Sequence, residues 1–381
     1  MQPVFEWLVS RAAAQLETPA LLEGLAERIQ DSGVPLLRMS TFVRTKHPEV
    51  VGEQVVWLRG KGARIIARSY ASTSTAYGNT PAETITRTRK PVRCRLDVPR
   101  EALAYPVLSE IAAEGGTDYY ALALSDGESF LGLATDRAGG FREEDIAGLD
   151  RLVGPLSLHC QLAGARLATR SLLTVYLGSN AARHVLNGAF HRGTGTPIPA
   201  AIWFCDMRGF TVLGDSLPAQ ELVGVLDRYF EAVAGPIESQ GGEILKLIGD
   251  AALAVFPIEG AAPADACRRA LAAAEGVLAD VAALPPVRST QVGIGVAMHL
   301  GEVMYGNIGG HRRLDFTVIG AAVNEVCRVE GLCKQVGASL LMTASFADAL
   351  GREGLVSLGT HALKGVSEPR EVFTIGPRAQ A

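Results

Sequence analysis

Two aspartates stand where an acid is costly. Asp206 closes the apolar run Ala201-Ile202-Trp203-Phe204-Cys205, and Asp250 ends Leu245-Lys246-Leu247-Ile248-Gly249. A carboxylate at the end of an apolar strand is expensive to desolvate unless it is paired or binds a cation. Two together could hold hard divalent cations such as Mg²⁺, which takes oxygen ligands and keeps substrate phosphates in its shell. Either one alone would read as a turn or helix-cap residue; the pair favours metal. Farther along, Asn324 and Arg328 are one helical turn apart and share a face, so a carboxamide and a guanidinium can act on one ligand.

The surrounding pattern supplies elements to carry these groups. A buried strand is predicted over 200–205, and a hairpin over 243–246 and 251–256 around Gly249-Asp250. Helices are predicted over 218–238 and 262–283, with strands over 291–299 and 316–319, the last leading into a helix through Leu332. Such alternation describes an α+β or α/β sandwich with helices covering a sheet. The clearest break in the chain is the Gly- and Pro-rich stretch 191–199, which puts the start of this domain near residue 196.

Upstream, helical spacing covers 4–16 and 19–30, and strand-like runs cover 37–43, 55–58 and 63–69. A loop follows at 71–80, a helix at 106–114, and a hairpin of 119–124 with 129–134 around Ser125-Asp126-Gly127. From Glu143 the spacing of Leu149, Leu152, Leu156, Cys160, Ala163 and Leu167 predicts a helical connector, kinked at Gly154-Pro155. The expected organisation is a first domain over 1–165, a connector over 166–195 and a second domain over 196–381.

Composition narrows the class. The 381 residues give a prior of two domains at roughly 100–200 residues each, and 48% apolar with 20% charged residues is ordinary globular usage. A net charge of −4 lacks the footprint of a nucleic-acid binder. The richest apolar stretch, 270–287, is interrupted by Glu275, Asp280, Pro285 and Pro286, so no membrane span is expected. The N-terminus carries Glu6, Arg11 and Glu17 rather than the cationic-then-apolar order of a signal peptide, so a cytoplasmic location is expected. Six scattered cysteines without a CxxC pair read as small buried residues.

Phe204-Cys205-Asp206-Met207-Arg208-Gly209-Phe210-Thr211, Lys246-Leu247-Ile248-Gly249-Asp250, and Phe316-Thr317-Val318-Ile319-Gly320 with Val323-Asn324 and Arg328 resemble the class III nucleotidyl cyclase catalytic domain, across 196–378. The resemblance implies a ferredoxin-like α+β fold. Asp206, Asp250 and the carbonyl of Met207 would hold two ions, Mg²⁺ or Mn²⁺, per active site. Lys246 and Thr317 match the positions that read the purine edge; guanylate-forming relatives typically carry Glu and Cys or a small residue there, so this pair points to ATP. Asn324 would orient the ribose, Arg328 stabilise charge on the transferring phosphate, and Lys364 and Arg312 contact the triphosphate.

The implied activity is an adenylate cyclase, a lyase converting ATP to 3′,5′-cyclic AMP and pyrophosphate. The implied partner is a second copy in a head-to-tail homodimer that divides each active site between two subunits. One departure is visible: many relatives have Gly-Asp-Thr-Val-Asn where this chain has Gly320-Ala321-Ala322-Val323-Asn324, which predicts altered helix capping rather than lost activity. The alternatives are a guanylate cyclase, or a catalytically inactive nucleotide-binding or dimerisation module. Gly241-Gly242-Glu243 superficially matches a diguanylate cyclase signature, but the motifs around it do not fit.

In the first half, the element order and the string Gly139-Gly140-Phe141-Arg142-Glu143-Glu144-Asp145 resemble a GAF-type sensory domain, with a PAS-like domain as the competing reading. That resemblance implies a small-molecule ligand and control of the second domain. His47, His159 and Cys160 have no companions at metal-ligand spacing. The basic run 84–100 could attract an anion, but usually such a run is a solvated face.

Overall fold

The computed structural model describes residues 1–376 apart from 49, 71–77, 125–128, 190, 192, 259, 261, 289 and 352–353. The expected turn at Ser125-Asp126-Gly127 and most of the expected loop 71–80 therefore lie outside the described residues. The chain divides into two compact α+β units, Met1–Val175 and Tyr176–Ala381.

The N-terminal unit runs α1 (Gln2–Leu8), α2 (Arg11–Ala14), α3 (Thr18–Asp31), β1 (Arg38–Arg44), β2 (Val50–Leu58), β3 (Gly62–Ser69), α4 (Pro81–Thr88), β4 (Val92–Arg95), α5 (Leu108–Ala113), β5 (Asp118–Ala123), β6 (Phe130–Thr135), α6 (Glu143–Asp150) and α7 (Val153–Leu177). Its antiparallel sheet has the order β3-β2-β1-β6-β5-β4. One core joins α1 to α3 with Leu149, Leu152, Leu156 and Cys160; a smaller one gathers Ile85, Leu108, Ile111 and Tyr119. The single helix expected over 4–16 is two, because Ser10 leaves helical geometry and its Oγ accepts from the Ala13 N–H at 3.3 Å, capping α2. The expected kink at Gly154-Pro155 is displaced: the break falls at Arg151-Leu152, and Pro155 sits in the first turn of α7, where a missing N–H costs no helical bond.

The second unit runs α8 (Ser179–Leu186), β7 (Gly195–Arg208), α9 (Phe210–Ser216), α10 (Ala219–Ser239), β8 (Glu243–Ile248), β9 (Ala251–Pro257), α11 (Pro263–Ala283), β10 (Gly293–Gly310), β11 (Arg313–Ile319), α12 (Ala321–Glu330), α13 (Cys333–Val336), β12 (Leu340–Thr343), α14 (Ala344–Leu350), β13 (Leu355–His361) and β14 (Arg370–Ile375). The sheet order is β13-β14-β12-β10-β7-β9-β8, with β11 paired to β10. One face packs Trp203, Tyr229, Phe256 and Phe346 beneath α10, α11 and α14. The other packs Ala200, Ile202, Val326 and Val329 beneath α12. Trp203 and Tyr229 are fully buried, and full burial of one large apolar side chain contributes roughly 1.5–3 kcal/mol.

Strands β7 and β10 are longer than the apolar runs suggest. Pro197 and Pro199 look like strand breakers, yet both lie on β7 opposite Met304 and Glu302 of β10. The β9 ladder begins only at Ala200, and beyond it the Pro199 carbonyl accepts from the Ile258 N–H at 3.1 Å, so both prolines sit where the β9 pairing is ending, a place where a missing donor is tolerated. Strand β11, paired with β10, also reaches β8, which lies beyond β7 and β9 in the sheet order. The β10–β11 hairpin therefore curls over the sheet.

Candidate active site

Alternation along β7 sends Ala201, Trp203 and Cys205 to one core and Ala200, Ile202 and Phe204 to the other. Asp206 continues the second set, toward α12. Gly209, in the left-handed region at φ 78°, then turns the chain into α9. Asp250 arrives through the two-residue β8–β9 loop, whose first position, Gly249, has φ 64°. Since Ala252 pairs with Cys205, the loop tip lies at the end of β7.

The two carboxyl groups meet there, close enough for the charge of one to act on the other. Burial, then the Asp250 charge, pushes the Asp206 carboxyl up to about 6, against the lowering effect of the Met207 backbone. The Met207 side chain is in the core at 3% exposure, leaving its backbone beside the acids. Two abutting carboxylates, with no set of three or more His, Cys, Asp or Glu ligands gathered among the described residues, fit a hard cation that uses one or two protein carboxylates plus substrate oxygens. The residues therefore fit Mg²⁺ or Mn²⁺.

A third acid, Glu330 at the end of α12, was missed in the sequence. Burial, then the Asp206 charge, pushes its carboxyl up to about 7, with Arg208 opposing. It lies over Gly295, the residue paired with Asp206 across the β7–β10 ladder.

Lys246 projects from β8 and donates from Nζ to Asp315 Oδ2 at 3.0 Å. Asp315 is two residues before Thr317 on β11, so the two share a strand face. Thr317 itself is buried. The Lys246–Asp315 contact joins the curled β11 to β8, alongside the apolar packing of Leu245 and Val318. Asp315 was also missed, because nothing local to it announces a partner 69 positions away.

Asn324 and Arg328 are exposed on α12, and neither side chain makes a hydrogen bond or ion pair among the described residues. Lys364 is exposed in the turn between β13 and β14, anchored by the buried Leu363, and Arg312 is exposed at the tip of the β10–β11 hairpin. The chain thus gathers Asp206, Asp250 and the Met207 backbone in one place, sets Lys246 beside the strand of Thr317, and leaves the remaining cations and Asn324 open to solvent.

The N-terminal candidates serve local structure. His47 Nδ1 accepts from the Val50 N–H at 3.2 Å, His159 Nε2 lies 2.7 Å from the Leu8 carbonyl oxygen, and Cys160 lies 3.7 Å from Thr41 Oγ1. Within the basic run, Arg93 pairs with the fully buried Asp118 at 3.0 Å and with Glu143 at 2.7 Å, and Arg95 pairs with Asp97. Those charges are spent on the chain's own acids.

The fold and the paired acids define a nucleotidyl cyclase domain, and residues 198–374 match the family model of the adenylate and guanylate cyclase catalytic domain. The match is to this segment, under half of the chain, and it is the segment that carries the paired acids. It is 38% identical over 175 residues to an uncharacterized protein of Mycobacterium tuberculosis, a stretch covering 45% of this chain and 31% of the relative. It is 36% identical over 152 residues to an adenylate cyclase of Anabaena cylindrica, covering 38% of this chain and 29% of that one. The chain thus spans under a third of the length of these curated relatives. A solved bacterial light-regulated adenylyl cyclase superposes with TM-score 0.51 at 16% identity, covering 89% of this chain and 93% of that one, a likeness of fold. Among the described residues no helix is long and apolar enough to cross a membrane.

Proposed function

We propose that this chain is an adenylate cyclase, forming 3′,5′-cyclic AMP and pyrophosphate from ATP, with each active site shared between two copies. The observation that carries the substrate is Lys246, an ammonium held at 3.0 Å by Asp315 beside the strand face of Thr317. Adenine presents an acceptor at N1 and donors at N6, which suits a Lys donor and a Thr hydroxyl; guanine places an N–H donor at N1, which a Lys donor cannot satisfy.

In the reaction the ribose 3′-oxygen attacks the α-phosphorus in line, its proton leaves to solvent, and the bond to pyrophosphate breaks. Mg²⁺ or Mn²⁺ held by Asp206 and Asp250 would supply charge neutralisation on the phosphates. Asn324 would orient the ribose. Arg328 would donate to the charge developing on the transferring phosphate, worth a few kcal/mol by analogy with other positioned donors. Lys364 and Arg312 would hold the outer phosphates.

Two features support a second copy. Asn324 and Arg328 face solvent without partners among the described residues, and Leu247, Ile248, Leu314 and Ile319 lie exposed on β8 and β11, as apolar residues awaiting a partner do. The N-terminal unit is read as a GAF-like regulator. Incubating the full chain with ATP or GTP and Mg²⁺ or Mn²⁺, then separating products by chromatography, tests the reading. Cyclic AMP is expected; cyclic GMP alone, or no product with either metal, would defeat it. A shortened chain beginning near residue 190 run in parallel reads the influence of the N-terminal unit.

A further inference from the structure

Helix α12 carries Asn324 and Arg328, yet little in its own sequence fixes its rotation. It starts at Gly320 with no side-chain cap and no acidic residue in its first turn, so its leading N–H groups lack the usual anchors. Its buried stripe, Ala322, Val326 and Val329, consists of small residues. The hydrophobic effect that buries such a stripe is itself non-directional.

A directional contact lies on the flank between that stripe and the exposed face. Glu325, next to Asn324 and three residues before Arg328, has a side chain only 13% exposed. Its Oε1 accepts from Arg370 Nε at 3.0 Å. The same oxygen lies 3.7 Å from His299 Nδ1 on β10, and that ring nitrogen is 2.9 Å from Thr343 Oγ1 at the end of β12. Arg370 opens β14, directly after the turn that holds Lys364. One carboxylate therefore ties α12 to the chain segment leaving the Lys364 turn, with the His299 ring of β10 beside it.

We propose that the Glu325–Arg370 ion pair is a positioning device: it sets the rotation of α12, and with it the aim of Asn324 and Arg328, relative to Lys364. The proposal rests on the cyclase reading above. Neither Glu325 nor Arg370 touches the nucleotide; they act through Arg328 and Asn324. A half-buried, charge-assisted hydrogen bond suits this role better than an apolar contact because it has a preferred direction.

The test uses the full chain with ATP and Mn²⁺. In Glu325→Ala and in Arg370→Met, kcat falls about 10- to 100-fold, the cost of misplaced groups near the reacting atoms, while KM for ATP and affinity for a fluorescent ATP analogue stay within about threefold. On an Arg328→Ala background, Glu325→Ala costs clearly less than it costs the wild type, because one of the two groups it acts through is already gone. Where Glu325→Ala fails to fold, Glu325→Gln and Arg370→Lys keep the volume and are judged by the same kcat against KM split. Unchanged kcat in folded variants, or a full additional loss on the Arg328→Ala background, overturns the proposal while leaving the cyclase reading intact. A wild-type chain that forms no cyclic nucleotide overturns both.

Discussion

The Glu330 carboxylate occupies the space that a side chain on Gly295 would need: a Cβ at 295 would lie 2.3 Å from Glu330 Oε1. Glycine at this one ladder position lets a third acid lie over the strand opposite Asp206. Gly295→Ala should evict Glu330 and destabilise the unit by about 1 kcal/mol, the low end of overpacking because the clashing atom is the end of a flexible side chain. Thermal unfolding checks this. Adding Glu330→Ala to Gly295→Ala should recover much of the loss, because the clashing atoms are gone.

Removing one of the paired acids should separate stability from metal binding. Asp206 is ionised at neutral pH only against burial and the Asp250 charge. Asp250→Asn should therefore raise the unfolding temperature in metal-free buffer by a few degrees and abolish the further rise that Mn²⁺ gives the wild type. A variant that kept a full Mn²⁺ response would place the cation elsewhere.

Division of the site between copies predicts complementation. Asp206→Ala and Arg328→Ala chains should each keep only a small residual activity. Mixed equally and allowed to exchange, half the dimers are heterodimers with one intact site of two, so about a quarter of wild-type activity should return. A mixture that stays at that residual level after verified exchange would argue for a site within one chain.

His299 predicts an acid limit on stability. Burial, and the nearby Arg370, hold its imidazole below the ordinary value of 6.5, with Glu325 opposing. A base depressed in the folded state binds fewer protons folded than unfolded. Its contribution is complete above pH 6.5 and declines as the pH falls from there toward the folded value. Between about pH 7.5 and about pH 5.5, wild type should therefore lose more stability than His299→Gln, measured by denaturant unfolding at each pH.

The parts of this molecule visible in the sequence were those written locally. Asp206 announces itself because an acid follows five strand-forming residues, and Asp250 because it closes a Gly-turn hairpin. Asn324 and Arg328 share a helical face by spacing alone. Asp315, Glu330, Glu325 and Arg370 were not legible, since each acquires its meaning from a partner on another element: Lys246 for Asp315, the β7–β10 ladder for Glu330. The same reason hid the true lengths of β7 and β10: the β7 prolines sit where the β9 ladder is ending, and only the partner strand shows that. Helices α4, α8 and α9 were too short to leave a clear period.

The Lys246–Asp315 contact also constrains how this protein could change its taste in nucleotides. A single Lys246→Glu exchange, the step toward a guanine-type edge reader, would set a second carboxylate against Asp315 where an ion pair now joins β8 to the curled β11. The order of mutation then matters. Neutralising Asp315 first leaves a tolerable intermediate, whereas changing Lys246 first sends the lineage through a loosened hairpin. On the function proposed above, specificity would be guarded by epistasis: the residue assigned to the base also holds a seam of the fold, and neither duty could be altered without renegotiating the other.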